Sequence, residues 1–144
     1  MMTIRKAREK AFIAMFEYSF GGDMTDIIDT GRENEEYGVD AFGEALLQYF
    51  IVHTEEVDAA IESKLAKGWK VGRLPRTNLA ILRLAVAEMR SSDEDMDSIV
   101  INEAVELAKT YAADDDYQFV NGVLGSLSRQ WSGDAEAQTA SLEE

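Results

Sequence analysis

Residues 76–90 constrain the rest of the chain more than any other segment. Leu79, Ile81, Leu82, Leu84, Ala85, Val86 and Met89 leave only a narrow polar stripe, marked by Arg83, Glu88 and Arg90. A helix apolar on most sides has to be buried on most sides. Other elements must therefore surround it, and the stretch from Ser98 to Arg129 supplies two amphipathic helices. In the first, Ile101, Ala104, Val105, Ala108 and Tyr111 recur at helical spacing. In the second, Val120, Val123, Leu124, Leu127 and Trp131 do the same. An acidic turn separates them, and Asp116 stands where an N-cap can accept from orphan amides and meet the positive end of the helix dipole. Gly122 inside the second helix costs roughly 1 kcal/mol relative to Ala. Close approach by another helix or by a ligand would explain it.

The N-terminal half reads as further helices. Residues 3–20 form the first, with Thr3 as N-cap and Ile4, Ala7, Ala11, Met15 and Tyr18 on one stripe that Phe12 and Phe16 widen. Gly21-Gly22 ends it. A short helix over Met24–Thr30 and a solvated acidic loop over Gly31–Gly38 follow. Residues 40–53 make a strong helix with Phe42, Ala45, Leu46, Tyr49, Phe50 and His53 on one face. Thr54 is placed to cap the next helix, which runs to Ala66 with Val57, Ala60, Ile61 and Leu65 inward. In the linker GWKVGRLPRTN, Trp69 is expected to plug into the core, because so large an apolar ring is rarely left in water. The tail 132–144 has small and acidic residues without periodicity and is expected to be disordered. The predicted architecture is all-α: a single-domain bundle of six or seven helices over residues 1–131.

Composition narrows the chemistry. None of the 144 residues is Cys, so disulfides, thiolate metal sites and a Cys nucleophile are excluded. His53 is the only histidine, a poor ligand without a second one, and its expected role is structural. There is no P-loop, no GxGxxG and no zinc spacing. The acidic runs Asp93–Asp97 and Asp114–Asp116 lack the ligand spacing and glycine of an EF-hand and read as solvated turns. No enzyme, metal or cofactor is expected. No apolar run approaches a membrane span and the N-terminus lacks a signal-peptide core, so the expected location is cytoplasmic.

The net charge of −14 argues against a general nucleic-acid binder, since phosphate binding needs clustered positive charge. Its distribution matters more. Residues 1–20 carry +2 and residues 63–92 carry +6, with the acid elsewhere. Arg5, Lys6, Arg8 and Lys10 place four basic residues within six positions. They form either an ordinary solvated face or a local basic patch on an acidic protein.

Four blocks in order, RKAREKAF, ILRLAVAEM, INEAVELAK and FVNGVL, resemble the NusB family of transcription antitermination factors. The resemblance implies a small all-helical RNA-binding protein. It would load onto boxA-type single-stranded RNA with a ribosomal small-subunit protein, NusE, within the transcription elongation complex, supporting ribosomal RNA transcription. It also implies site residues. Arg5, Lys6, Arg8 and Lys10 would contact phosphates. Asp115 and Phe119 match the family's acidic and aromatic RNA positions, although Phe119 could equally pack beside Val123. A ring at a helix start can stack on an unpaired base, worth roughly 1–3 kcal/mol. Gln118 stands where the family often has Lys, losing a charge, and Tyr117 beside it offers a second stacking surface. Glu88 matches the Glu that follows ILRLA and is the candidate contact for NusE.

Asn78-Leu79 replaces the family's usual Asp-Arg. With the acidic excess and Gln118, it leaves open a second reading: an acidic NusB-like paralogue that acts as a protein-interaction module with weak or no specific RNA binding. Monomer and homodimer both remain open.

Overall fold

The computed structural model describes residues 2–32, 38–92 and 95–143, with side chains described through residue 136. The acidic connections at 33–37 and 93–94 lie outside the described residues. Seven α-helices are present among the described residues: α1 (Ile4–Tyr18), α2 (Met24–Arg32), α3 (Ala41–Val52), α4 (Thr54–Glu62), α5 (Arg76–Ser91), α6 (Asp97–Tyr111) and α7 (Asp116–Glu143). A 3-10 turn spans Val71–Arg73. The fold is a single-domain, all-α bundle.

Helix α5 is the axis and packs against α1, α3, α4, α6 and α7. Every residue from Asn78 to Met89 except Arg83 is buried, as its nearly unbroken apolar surface demands. Arg83 sits in the narrow polar stripe, donates to Asp58 of α4 through two 2.9 Å hydrogen bonds and lies over the Phe50 ring. Around the axis, Met15, Leu47, Phe50, Ile61, Leu82, Val100, Val120, Leu124 and Leu127 are fully enclosed. Truncating one such side chain to Ala costs about 2–5 kcal/mol. Helix α3 comes close to α1 because Gly43 has no side chain: a Cβ there would stand 3.3 Å from Ala11 Cβ and 3.5 Å from the Ala7 carbonyl oxygen.

Several local expectations are corrected. Thr54 does not cap α4. It is the first helical residue, and its hydroxyl donates back to the Phe50 and Ile51 carbonyls at the end of α3. Helix α4 stops at Glu62 rather than Ala66, and Gly68 turns the chain at φ +85°. Trp69 does not plug the core. It is 44% exposed, with the Arg73 guanidinium 5.4 Å from its ring centre, so a cation covers the ring in place of the interior. Asp116 is the first residue of α7, and its carboxylate accepts from the buried Asn78 amide at 3.1 Å. The tail without apolar periodicity continues α7 as far as Glu143; a helix already nucleated extends at little cost through residues such as Ala135, Glu136 and Ala137.

Candidate nucleic-acid interface

The basic helix begins where Thr3 accepts from the Lys6 backbone N–H, placing Arg5 and Lys6 in the first turn of α1. No acidic residue occupies that turn, so two cations face the positive end of the dipole. Carboxylates elsewhere compensate. Arg5 donates to both oxygens of Glu103 on α6, at 3.0 and 3.1 Å, and Lys6 donates to Glu9 at 2.7 Å. Hydrogen bonding to Glu103 raises the Arg5 pKa, and hydrogen bonding to Glu9 raises that of Lys6. Both side chains remain largely in water. Lys10 is half-buried.

Arg8 is not on this outer face. It is 7% exposed, and its guanidinium donates to Glu88 on α5 at 2.6 and 2.8 Å. The Glu88 hydrogen bond is the main reason its pKa is raised. Glu88 is correspondingly 5% exposed. The expected phosphate contact at Arg8 and the expected partner contact at Glu88 therefore fall on one buried ion pair. The reason is positional: Arg8 shares the apolar side of α1 with Ala11, Phe12 and Met15. Two buried charges are stable there only because they satisfy each other.

The turn before α7 and the first turn of α7 itself hold the second group. Asp115 and Gln118 are exposed, while Tyr117 and Phe119 are half-buried. Both rings pack against the core, which supports the packing alternative for Phe119. Tyr117 and Gln118 line an open groove of about 520 Å³ between α6 and α7, together with Ile101, Asn102, Val105 and Asn121. On the other flank of α6 a cleft of about 150 Å³ brings Arg5 and Glu9 against Glu103 and Glu106. The expected residues thus form two clusters, one on each side of α6, rather than one pocket.

Asn102, Asn121 and Glu103 escaped the sequence reading, although INEAVELAK and FVNGVL contain all three. A polar residue one step off an apolar stripe was the available signal. Near the groove, the Lys109 ammonium lies 5.2 Å from the Tyr117 ring centre. Elsewhere Arg90 covers Trp131 at 4.4 Å, and His53 lies against Tyr49 with tilted rings whose centres are 4.1 Å apart. Among the described residues no three His, Asp or Glu side chains are grouped to hold a metal. No helix among them is long and apolar enough to cross a membrane.

Comparison with known proteins is consistent along the whole bundle. The Bacillus mycoides (strain KBAB4) transcription antitermination protein NusB is 36% identical over 132 residues, covering 88% of this chain and 97% of that protein. The Symbiobacterium thermophilum protein of the same name is 37% identical over 150 residues, covering 96% of this chain and 97% of that protein. A chain in the crystal structure of the antitermination factors NusB and NusE in complex with double-stranded RNA superposes with a TM-score of 0.75 at 27% identity, covering 88% of this chain and 96% of that one. The NusB family model matches residues 5–129, and the chain belongs to the NusB family.

Proposed function

We propose that this chain is a transcription antitermination factor of the cytoplasm. It binds boxA-type single-stranded RNA together with the ribosomal protein NusE, and acts in the elongation complex during ribosomal RNA synthesis. The function is binding without catalysis. The observation that carries this reading is the superposition of 88% of this chain on a chain solved with NusE and double-stranded RNA, in a bundle whose family match runs from the basic helix past the groove.

Phosphate contacts come from Arg5, Lys6 and Lys10, and the base-facing groups from Asp115, Tyr117, Gln118 and Phe119. Arg8 and Glu88 hold the scaffold that positions α1 beside α6. A NusE-like partner would then meet the exposed ends of α5 and the outer face of α6 rather than the Glu88 carboxylate itself. Affinity for RNA alone is modest, because the net charge is −14 and the outer cations of α1 already hold carboxylates.

A second reading, the acidic interaction module, is favoured by that same pairing of Arg5 with Glu103 and Lys6 with Glu9. Titrating a labelled boxA-type RNA with and without NusE separates the two, with scrambled and double-stranded RNA as competitors. The antitermination reading expects NusE to sharpen binding to boxA alone. With two or three phosphates contacted, the log–log salt slope should be about −1.4 to −2.1. Binding of NusE with no preference among the RNAs would instead establish the interaction module.

A further inference from the structure

The groove between α6 and α7 has a lining unlike the surrounding surface. In a chain of net charge −14, none of its lining residues is charged. Asn102, Gln118 and Asn121 are exposed along it, Ile101 and Val105 are half-buried beneath, and Tyr117 adds an aromatic ring. Several neighbouring carboxylates are already engaged. Asp97 accepts from the Ser128 hydroxyl at 2.7 Å, Asp116 accepts from Asn78, and Glu106 pairs with Lys109 at 3.7 Å. Lys109 also lies against the Tyr117 ring, beside the groove.

Such a lining selects its occupant. A charged ligand group would find no counter-charge inside. An aliphatic helix would cover three amides and leave them without partners. Carboxamides present donors and acceptors together, which suits the mixed edge of a planar heterocycle, and an aromatic ring accepts any base on its face. The volume of about 520 Å³ falls within the roughly 300–1,000 Å³ of small-ligand pockets. Gly122, one turn beyond Gln118 on α7, has nothing within 4 Å of the place a Cβ would occupy. No internal packing accounts for this glycine, and its bare backbone leaves the approach along α7 open.

We propose that the α6–α7 groove is a nucleobase pocket that seats one unpaired base of the bound RNA. Asn102, Gln118 and Asn121 hydrogen-bond the base edge, and Lys109 turns from Glu106 and the Tyr117 ring to the attached phosphate, which frees the Tyr117 face for the base. This deepens the RNA-binding reading above and rests on it.

The test uses the full chain and a labelled boxA-type RNA, intact and as a series with one abasic nucleotide at each position. Asn102→Ala and Asn121→Ala should each weaken binding of the intact RNA about tenfold. The salt slope should stay unchanged, because no phosphate contact is lost. At one abasic position the penalty should disappear, which locates the seated base. Both side chains are exposed, so the variants should keep the parent's urea midpoint. If both variants bind every RNA like the parent while Arg5→Ala/Lys6→Ala weakens binding, the RNA reading stands and the pocket is overturned. Loss of NusE binding with RNA affinity intact would make the groove a protein-docking surface and also overturn it. No RNA binding by the parent, with or without NusE, would overturn both.

Discussion

Arg5 and Arg8 stand one turn apart on α1, and each grips a glutamate from another helix with its guanidinium. Arg5 keeps 73% of its side chain in water as it holds Glu103. Arg8 and Glu88 keep 8% and 7%. Their chemistry is the same and their consequences are opposite. Glu103 keeps 14%, but the Arg5 cation stands in water, where the Coulomb gain is small and shared with solvent, so Arg5 can turn to a phosphate. In the interior each charge has lost its hydration, and only its partner compensates. One position makes an arginine available to a ligand, and the next turn makes it part of the scaffold.

Breaking the inner pair should have the largest effect. Glu88→Ala leaves the Arg8 cation buried and uncompensated and should cost about 3–5 kcal/mol in urea unfolding. The double replacement Arg8→Met/Glu88→Leu should recover most of that loss, because no orphaned charge remains. A double variant as unstable as the single one would mean that the pair's hydrogen-bond geometry, not charge compensation, holds α1 on α5.

Glu103→Gln tests the outer pair. Unfolding stability should change little. RNA affinity should rise several-fold, with the salt slope steepening by about 0.7 if the released Arg5 gains one phosphate. An unchanged affinity would make Arg5 a structural residue like its neighbour.

The smallest effect is one of pH. The Tyr111 phenol is held above its ordinary 10.0, by burial first and by the Glu9 carboxylate next. A pKa raised by folding gives stability that is complete below the unfolded value and is lost as pH rises through the folded one. Lys6, raised by Glu9, acts in the same direction. Stability should therefore decline as pH climbs beyond about 10, and Tyr111→Phe should flatten that decline in urea titrations at stepped pH.

The helices and their inward faces were legible because period alone specifies them. The nearly all-apolar wording of 79–89 required a central α5, and Gly21-Gly22 ends α1 where the chain turns. Side-chain destinations were less legible. Arg8 lies at i, i+3, i+4 and i+7 with Ala11, Phe12 and Met15, so its place on an apolar face was readable. Its partner was not, since that depends on how α1 crosses α5. Trp69 and Thr54 failed for a related reason: a nearby Arg73 and the carbonyls of α3 offered alternatives that propensity does not rank. At the candidate site, Tyr117 and Gln118 were found through family wording. Asn121 lies at i+3 and i+4 from that pair on α7 and was readable from period; Asn102 becomes their neighbour only when α6 and α7 pack side by side.

Gly43 makes the seating of α1 a matter of clearance, and this bears on how the chain tolerates mutation. With 3.3 Å from a would-be Cβ to Ala11, even alanine requires α1 to give way by a few tenths of an ångström, and α1 carries both arginine pairs. Gly72 and Gly122 have nothing within 4 Å and should accept side chains without structural penalty. A saturation library scored for folding should therefore be nearly silent at 72 and 122 and depleted at 43. The site on α1 would then owe its placement to a single absent carbon some distance from any residue that touches a ligand.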